Sequence, residues 1–574
     1  MPNVWNLGNT TLRNPNRIEQ GLDLFAKEFQ GNIRGEEQET LFAKRLNEEG
    51  IVSSGGTYSA FLARKWRNAF VKLGFATENK KIVKDTLANE KPDLKLRGLE
   101  YEITPAGKRL INASSIGAIH DVYLRQLVQH EIPSPIEKGF PKGQLKPFIL
   151  LTEVLYKLHK YNKRGLNKTE TAAYIQLFQD HTTNLAEEIY QKIISYRQNR
   201  KRKSSRVDKR KYDDEILSQA AKLGTVQAST LVDYADTTFR YSTMTNVVTR
   251  SGNRLILRED RIDTIERILN AEPRFSAKDN PIKYLYEFYK GAWLPTDNIE
   301  FAKSEIERLR FAISEYEAEI PKELIDISTD DIREIQNIRY ELVEIQKEEK
   351  EKRFAKSQAE NNTIEEILTL IRDINDNSGS IPDRPTFFEW AVWRAILAMN
   401  HIAIPIKETR RFPIDIDMLP RHPAPGGGPD MIFEFEKFIM AVEVTLTSSS
   451  RQIAAEGEPV RRHVADIKKD TDKPVYGLFI APEVDNNTAE TFRIGVWYWD
   501  DDEDFLNIVP MNLSVFENVI QVLLNRKYQP DDFRHLLDRC LVYRNIRAPE
   551  WKTMINREAH NWIRQIQYYP VSPE

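Results

Sequence analysis

Two carboxylates bracket a predicted β-hairpin in the C-terminal part of this 574-residue chain. The segment PDMIFEFEKFIMAVEVT has Asp430 directly after a Pro/Gly-rich loop and Glu443 inside an apolar run. Residues 431–435 and 438–446 have the composition of two short strands. Pairing of these strands places the carboxylates side by side, which suits a hard cation such as Mg²⁺. A buried hairpin with two solvated acidic residues explains the segment equally well, so the rest of the chain has to decide.

Length and composition describe an ordinary globular protein of several domains. A chain of 574 residues with 40% hydrophobic and 29% charged residues is too long for one core. No apolar run reaches the roughly 18 residues of a membrane span, and the N-terminus lacks a signal-peptide pattern. The single cysteine, Cys540, excludes an intramolecular disulfide framework and a cysteine-rich zinc site. We therefore expect a reduced, cytoplasmic protein.

Charge is distributed unevenly along the chain. The net charge of −3 is the sum of +12 for residues 1–280, −9 for 281–385 and −6 for 386–574. A basic N-terminal half beside acidic parts is typical of a protein in which one part holds a polyanion and another collects cations. This asymmetry favours a nucleic-acid partner for the first half.

The N-terminal half is predicted to contain two helix-rich modules, at about 1–130 and 145–285. In the first, residues 58–73 form an amphipathic helix that ends at Gly74, followed by a strand at 101–103 and a helix that starts at Thr104-Pro105. This order is typical of winged-helix domains, in which a helix enters the DNA major groove. The helix carries three basic residues that we take as DNA-binding candidates: Arg64, Lys65 and Arg67.

The second module repeats this plan. We expect a helix at 229–237, then a strand from FRYST onward, a tight turn at 251–253, a returning strand at 254–257 and a helix at 260–269. Arginines along the hairpin suit a wing over phosphates, although a solvated surface charge explains each one as well. The candidates are Arg240, Arg250 and Arg254, with Arg258 beside them.

The densest run of positive charge lies between residues 197 and 211. Such runs are usually flexible and solvated, and beside two DNA-binding modules we expect this one to lie along the DNA backbone. Its DNA-binding candidates are Arg200, Lys201, Arg202 and Lys203.

The rest of the chain divides at a linker. Residues 300–372 have helical periodicity and dense mixed charge, which predicts a helical arm. The turn formers of residues 375–385 mark the next boundary. We therefore predict a DNA-recognition region at 1–285, a helical linker domain at 286–385 and a catalytic domain at 386–574.

The last domain has the predicted order helix, strand, strand, helix, strand. Glu389 lies on the first helix, at 386–399, and Glu456 lies at the start of the second one. This order, with acidic residues on the first helix and the hairpin, is the plan of PD-(D/E)xK nucleases. The predicted fold class is multidomain α+β, with winged-helix-type recognition modules, a helical linker and a C-terminal PD-(D/E)xK nuclease domain.

One position departs from the PD-(D/E)xK pattern. Thr445 stands two residues after Glu443, where that pattern usually has a lysine. Glu456 is the candidate substitute, either as a third metal carboxylate or as a base toward water. On spacing alone, Glu456 is equally well an exposed glutamate of a first helical turn, and the same holds for Glu389. For His463 we favour a satisfied helix residue over a phosphate donor.

Several segments together resemble one known family. GGGPDMIFEFEKFIMAVEVTLTSSS, AAEGEPVRRHVADIKK, GLFIAPEVDNNTAETF, FFEW, ADTTFRY, NRLIL and YEITPAGKRL are similar to AlwI-like type IIS restriction endonucleases, in the family's order. The resemblance implies Mg²⁺-dependent hydrolysis of DNA a few base pairs to one side of a short asymmetric site, of the GAGTC or GGATC kind. It implies Asp430, Glu443 and Glu456 as metal-site acids and Glu389 as a fourth catalytic acid. Thr445 is not a departure within this family.

The resemblance also implies partners. Double-stranded DNA is the substrate, and a DNA methyltransferase is expected in the same system. With one active site per chain, cutting both strands needs a second cleavage domain, from a transient homodimer or a small second subunit. Nicking of one strand is the alternative. A non-catalytic winged-helix regulator explains the basic half, and a scaffold protein explains the charged arm, but both leave the acidic hairpin without a purpose.

Overall fold

The structure is a computed structural model, and it describes most of the chain. The described residues are 4–12, 14–31, 33, 35–52, 59–77, 103–137, 143–177, 182, 184–251, 253–271, 276–325, 329, 331–377, 381, 383–448, 451–499, 502–525 and 528–568.

The chain forms two compact units, Met1–Glu344 and Ile345–Glu574. The helices of the first unit are α1 (Ile18–Phe29), α2 (Gly35–Glu48), α3 (Ala60–Lys72), α4 (Pro105–Ile111), α5 (Ile116–Gln129), α6 (Pro147–Lys160), α7 (Lys168–Tyr174), α8 (Leu185–Lys201), α9 (Arg206–Gly224), α10 (Ala228–Thr243), α11 (Ile262–Asn270), α12 (Pro281–Lys290) and α13 (Ile299–Ser314). Its strands are β1 (Leu166–Asn167), β2 (Val248–Ser251) and β3 (Arg254–Leu257), in the antiparallel order β1-β3-β2. Helix α14 (Ile332–Ser357) follows α13 along the chain.

The first module has its predicted helices. Helix α3 begins after Ser59, whose hydroxyl accepts a hydrogen bond from the Phe61 N–H. Gly74 follows the helix with φ +72°, the left-handed conformation that glycine adopts without steric cost. Thr104 caps helix α4 by accepting from Gly107 N at 3.0 Å. Of the strand predicted at 101–103, only Ile103 lies within the described residues, where it pairs with Ala76.

The second module differs from its prediction at one point. The FRYST segment is not a strand, because α10 continues through it to Thr243. Its buried positions, among them Ala235, Phe239 and Ser242, recur at helical spacing, so a helix buries them on one side. Arg240 therefore lies on this helix and not on the hairpin, whose strands are β2 and β3.

The basic run is not the flexible segment that its composition predicts. Residues 197–201 end helix α8, and α9 begins at Arg206 after Ser205, whose hydroxyl accepts from Asp208 N at 3.0 Å. Arg200 forms a bidentate pair with Asp213, with its shortest N–O distance at 2.7 Å. Local ion pairs and a helix cap thus offset the repulsion within the run.

The second unit is built on a four-stranded mixed sheet. Its strands are β4 (Met431–Glu434), β5 (Ile439–Val444), β6 (Val475–Ala481) and β9 (Asn507–Asn512), and a separate hairpin consists of β7 (Val496–Trp499) and β8 (Asp502–Phe505). Strands β4 and β5 are antiparallel, whereas β5, β6 and β9 run parallel. The helices are α15 (Asn361–Asn375), α16 (Arg384–Leu397), α17 (Glu458–Lys469), α18 (Asn486–Arg493), α19 (Leu513–Asn525), α20 (Pro530–Val542) and α21 (Ala548–Tyr568).

Helix α15 shares the core of this second unit. Its buried isoleucines, including Ile364, Ile367 and Ile371, lie in the same apolar cluster as β5, β6 and α19. The helical periodicity of residues 300–372 is confirmed in α13, α14 and α15. The division of the chain at residues 285 and 385 stays a prediction. Within the described residues, no helix is long and apolar enough to cross a membrane.

Candidate active site

The hairpin brings Asp430 and Glu443 to the same end of the sheet. Met431 pairs with Val442 in the antiparallel register, so Asp430 lies opposite Glu443. The Oδ2 atom of Asp430 accepts a hydrogen bond from Val444 N at 2.9 Å, which holds the carboxylate against β5. The sequence predicted this juxtaposition, because strand pairing alone brings the two residues together.

His463 is the partner of Glu443. Its Nδ1 atom lies 2.5 Å from Glu443 Oε1, and both side chains are buried. His463 lies on helix α17, which places its side chain beside the Glu443 carboxylate. The Nε2 atom of His463 is buried, with no hydrogen-bond partner among the described residues. His463 is therefore a helix residue with one ring nitrogen hydrogen-bonded, as favoured from the sequence, and its partner is the site acid Glu443.

Glu456 lies on a π-helical turn, Ile453–Gly457, directly before α17. The turn follows Gln452, whose buried amide donates to Glu483 O at 3.1 Å and accepts from Asp485 N at 2.8 Å. The Thr445 side chain hydrogen-bonds to the Glu456 carboxylate and lowers its pKa, whereas burial, the larger effect, raises it. Thr445, at the position where a lysine is usual, thus helps to hold Glu456.

Glu389 reaches the site from helix α16. Its Oε2 atom accepts from Ala424 N at 2.7 Å, in the loop that leads to Asp430. Two tryptophans of the same helix anchor it: Trp390 Nε1 donates to Met418 O at 2.9 Å, and Trp393 Nε1 donates to Thr409 Oγ1 at 2.7 Å. Glu389 is therefore a buried group in a defined position and not an exposed helical glutamate.

The carboxylates destabilise one another's charged forms. Burial and the neighbouring Glu443 raise the pKa of Asp430 well above its usual value. Burial and the charge of Glu456 raise the pKa of Glu443 to about 8. Burial and Asp430 raise the pKa of Glu389 in the same direction. Three neighbouring carboxylates whose pKa values are all raised mark a site at which a cation binds favourably.

Arg411 is a site residue that the sequence reasoning missed. Its backbone N–H donates to Asp430 O at 3.0 Å, and its Nη2 donates to Gly426 O at 3.2 Å. The Nη1 atom is buried and has no hydrogen-bond partner within the described chain. Burial has the largest effect on both neighbours: it raises the pKa of Glu443 and lowers the pKa of His463. The guanidinium charge of Arg411 has a smaller effect and lowers the pKa of both. No signal in the sequence distinguishes Arg411 from its neighbour Arg410, which pairs with buried Glu351 at 2.8 Å.

The donor set suits a hard cation that is only partly coordinated by protein. In the described part of the chain, no three His, Cys, Asp or Glu side chains form a complete metal-binding group, so Asp430, Glu443 and Glu456 are not gathered into one. Mg²⁺ is usually held by one or two carboxylates together with water and phosphate oxygens. Asp430 and Glu443 provide this number of carboxylates, and burial raises the pKa of both.

Most of the arginines predicted to bind DNA form ion pairs within the protein. Arg64 and Arg67 pair with Glu39, Arg240 and Arg250 with Asp236, Arg200 with Asp213, and Arg254 with Glu170. Lys201, Arg202 and Lys203 are exposed, and Lys203 lies over the Tyr212 ring at 4.9 Å.

Comparison with known families identifies the family of the chain. The sequence model of the AlwI restriction endonuclease family matches residues 71–519, more than half of the chain. The chain belongs to the AlwI restriction endonuclease family. The matched region contains Glu389, Asp430, Glu443 and Glu456. The resemblance noted in the sequence is therefore confirmed, and this AlwI-family protein is a type IIS restriction endonuclease, a site-specific deoxyribonuclease that acts on double-stranded DNA.

Solved structures of three restriction endonucleases show distant similarity to this AlwI-family chain. The small subunit of the heterodimeric endonuclease R.BspD6I is 20% identical, with 34% of this chain and 98% of that one covered and a TM-score of 0.29. The BpuJ1 endonuclease binding domain, solved with modified DNA, is 18% identical, with coverages of 44% and 86% and a TM-score of 0.29. Restriction endonuclease FokI is 10% identical, with 85% of each chain covered and a TM-score of 0.22. No curated protein sequence matches the chain.

Proposed function

We propose that this endonuclease hydrolyses DNA phosphodiesters at Asp430 and Glu443 in a Mg²⁺-dependent reaction. The observation that carries the proposal is the antiparallel pairing of β4 and β5, which sets these two carboxylates side by side, where burial and the charge of Glu443 raise the pKa of Asp430. A cation offsets the repulsion between them, and both oxygen donors suit Mg²⁺. When bound there, Mg²⁺ would activate water and neutralise charge that develops on the phosphate.

The two outer carboxylates have different roles in this proposal. Glu456 is half-buried and is held by Thr445, so it is placed to accept the proton of the attacking water. Glu389 is more deeply buried and accepts a hydrogen bond from Ala424. It positions the loop that carries Asp430.

Arg411 provides the positive charge that the usual lysine would provide. Its Nη1 atom is a donor that no described protein group uses. A guanidinium near a scissile phosphate stabilises negative charge in the transition state, where such a donor contributes most. The loop backbone at Gly428 packs closely against this side chain, because a Cβ atom on Gly428 would lie only 2.5 Å from Arg411 Nη1.

DNA recognition is assigned to the N-terminal region, 1–285, with residues 286–385 as the helical linker and 386–574 as the PD-(D/E)xK cleavage domain. The antiparallel β4–β5 pair followed by parallel β6 and β9 supports the last assignment, and helices beside the small β1-β3-β2 sheet support winged-helix modules. The predicted target is a short asymmetric site of the GAGTC or GGATC kind, cut a few base pairs to one side. A DNA methyltransferase would protect the host DNA.

The one set of site acids among the residues that the structure describes supports hydrolysis of one strand at a time. Cleavage of both strands then requires a second cleavage domain, from a homodimer or a small second subunit, and a chain without such a partner nicks. Supercoiled plasmid incubated with and without Mg²⁺ separates these outcomes, because nicked circles and linear DNA migrate differently. Sequencing the ends gives the site, the offset and the strand. Equal cleavage with Mg²⁺ and with excess EDTA would contradict the proposal.

A further inference from the structure

A polar groove lies beside the small sheet of the N-terminal unit. It encloses about 600 Å³ between the end of helix α6 and the β2–β3 hairpin. Its lining includes His159, Asn162, Lys163, Arg164, Asn253 and Glu259. Basic and amide side chains thus outnumber the carboxylate, and Glu259 itself faces His159 at 3.5 Å.

A buried ion-pair cluster fixes the loop that forms one wall, residues 162–165. Glu170 is fully buried and binds Arg197 through two bonds of 2.7 Å and Arg254 through one of 3.2 Å. Arg197 also donates to the carbonyl oxygens of Arg164 and Gly165, both at 2.7 Å. These bonds hold the loop backbone from beneath, so its conformation does not depend on its own side chains.

The loop is also tied to the sheet. Leu166, in β1, pairs with Leu255 of β3. A Cβ atom on Gly165 would lie 2.0 Å from Leu255 O, so only glycine permits this close approach. Asn162, with φ +51°, turns the chain out of α6 and into the loop. Sheet, glycine and left-handed turn together present the loop to solvent as a rigid projection.

The side chains on this projection are not used by the fold. Lys163 and Arg164 are both exposed, and neither side chain makes a hydrogen bond or an ion pair with any residue that the structure describes. Arg197 and Arg254, by contrast, are engaged with Glu170. The fold thus uses the inner arginines to hold the loop and leaves the outer cations available to a ligand.

We propose that this groove binds the phosphate backbone of double-stranded DNA, with Lys163 and Arg164 as the phosphate contacts. The proposal rests on the function proposed above and names a surface through which the substrate is held. A preordered loop binds phosphates with a smaller loss of conformational entropy than a flexible basic segment. The Asn162 and Asn253 amides at the groove edge are donors of the kind that also bind phosphate and base edges.

The test compares two doubly substituted full-length proteins. Lys163→Ala/Arg164→Ala removes the proposed contacts, and Lys278→Ala/Lys322→Ala removes the same charge from two other exposed positions of this unit. The dissociation constant for a short mixed-sequence duplex is measured by fluorescence anisotropy over a series of salt concentrations, without Mg²⁺. We expect the slope of log affinity against log salt to decrease by about 1.8 in the first variant, about 0.9 for each lost phosphate contact. The control should keep the wild-type slope.

Equal slopes for the two variants would overturn the proposal. A second result would also overturn it: the wild-type protein binds the corresponding single strand as tightly as the duplex, and the Lys163→Ala/Arg164→Ala substitutions weaken both interactions equally. The groove would then not select duplex DNA. Thermal unfolding of both variants establishes that each is folded. Plasmid cleavage by the wild-type protein tests the proposed function separately. If the wild-type protein cuts DNA but the Lys163→Ala/Arg164→Ala substitutions do not change the salt slope, the proposed function stands and the groove is not a DNA contact.

Discussion

The Nδ1 atom of His463 lies 2.5 Å from the Oε1 atom of Glu443, and both residues are buried. Burial raises the pKa of Glu443 and lowers the pKa of His463, so both effects favour a neutral pair. Once Glu443 is ionised, His463 Nδ1–H can donate to it, and the imidazole then fixes the direction of the carboxylate. We therefore expect His463 to act through Glu443 as a positioning residue.

The first prediction concerns this histidine. His463→Ala should lower both the cleavage rate and the apparent Mg²⁺ affinity by about 10- to 100-fold, the usual effect of losing a group that orients a metal-binding side chain. The Mg²⁺ concentration dependence of single-turnover cleavage measures both quantities. His535→Ala, which removes an exposed histidine of the same unit, is the control. A His463→Ala enzyme with wild-type Mg²⁺ dependence would show that the pair has no role in positioning.

The second prediction is that Asp430→Asn stabilises the metal-free protein and abolishes cleavage. Asparagine keeps an oxygen that can accept from Val444 N, but it removes a charge that burial and Glu443 disfavour. We expect the Tm in EDTA to rise by at least about 2 °C, the shift for about 1 kcal/mol in a domain of this size. Mg²⁺ should raise the Tm of the wild-type protein and not that of the variant.

Glu436→Gln is the matched control for this experiment, since Glu436 is exposed in the turn between β4 and β5. It should change neither the Tm nor the cleavage rate. Cleavage at the wild-type rate by Asp430→Asn would remove Asp430 from the proposed site.

The third prediction is a fall in stability with rising pH when Mg²⁺ is absent. The pKa of Glu443 is about 8 in the folded protein and about 4.5 when the chain is unfolded. Between these values the folded state binds the proton more tightly. The contribution of Glu443 to stability is therefore complete below pH 4.5 and is lost as the pH rises to about 8, by up to about 1.4 kcal/mol per pH unit.

Urea unfolding at several pH values in EDTA measures this effect. His463 acts in the opposite direction, because its lowered pKa favours folding as the pH rises. The difference between the wild-type protein and Glu443→Gln isolates the contribution of Glu443. A wild-type stability that rises relative to that of Glu443→Gln between pH 5 and 8 would contradict the prediction.

The fourth prediction separates two adjacent arginines. Arg411→Ala should reduce cleavage by about 100-fold or more, as for loss of one preorganised donor to a transition state, while Arg411→Lys recovers part of the rate. DNA affinity and Tm should change little. Arg410→Ala should instead unfold the second unit more easily, by about 3–5 kcal/mol, because it leaves buried Glu351 without its partner.

Lys469→Ala is the control for loss of one positive charge, since this lysine is exposed at the end of α17. Cleavage rates and urea unfolding curves of the variants provide the comparison. If Arg411→Ala loses stability in the same way as Arg410→Ala, then Arg411 is a structural clamp for the Gly426 loop and not a phosphate contact.

The local sequence pattern was sufficient to predict the structure where a single element and its adjacent turn determine the backbone conformation. The β4–β5 hairpin, the end of α3 at Gly74 and the start of α4 at Thr104 could all be predicted, because hydrogen bonds close to each residue determine them. The helix through the FRYST segment could not. Its β-branched and aromatic residues favour a strand, but burial of one helical face against the core outweighs that propensity.

The amino-acid sequence by itself determined the family, the paired acids Asp430 and Glu443, and the presence of Glu456 and Glu389 as further candidates. Adjacent strands bring the first pair together at short range. Only the tertiary structure decided that His463 and Arg411 join them, and that Arg254 holds a loop through Glu170. Those relations depend on where helices and loops pack against the sheets. A charged side chain looks the same in a sequence whether it binds DNA, positions a carboxylate or neutralises a buried acid, and burial and distance decide between these roles.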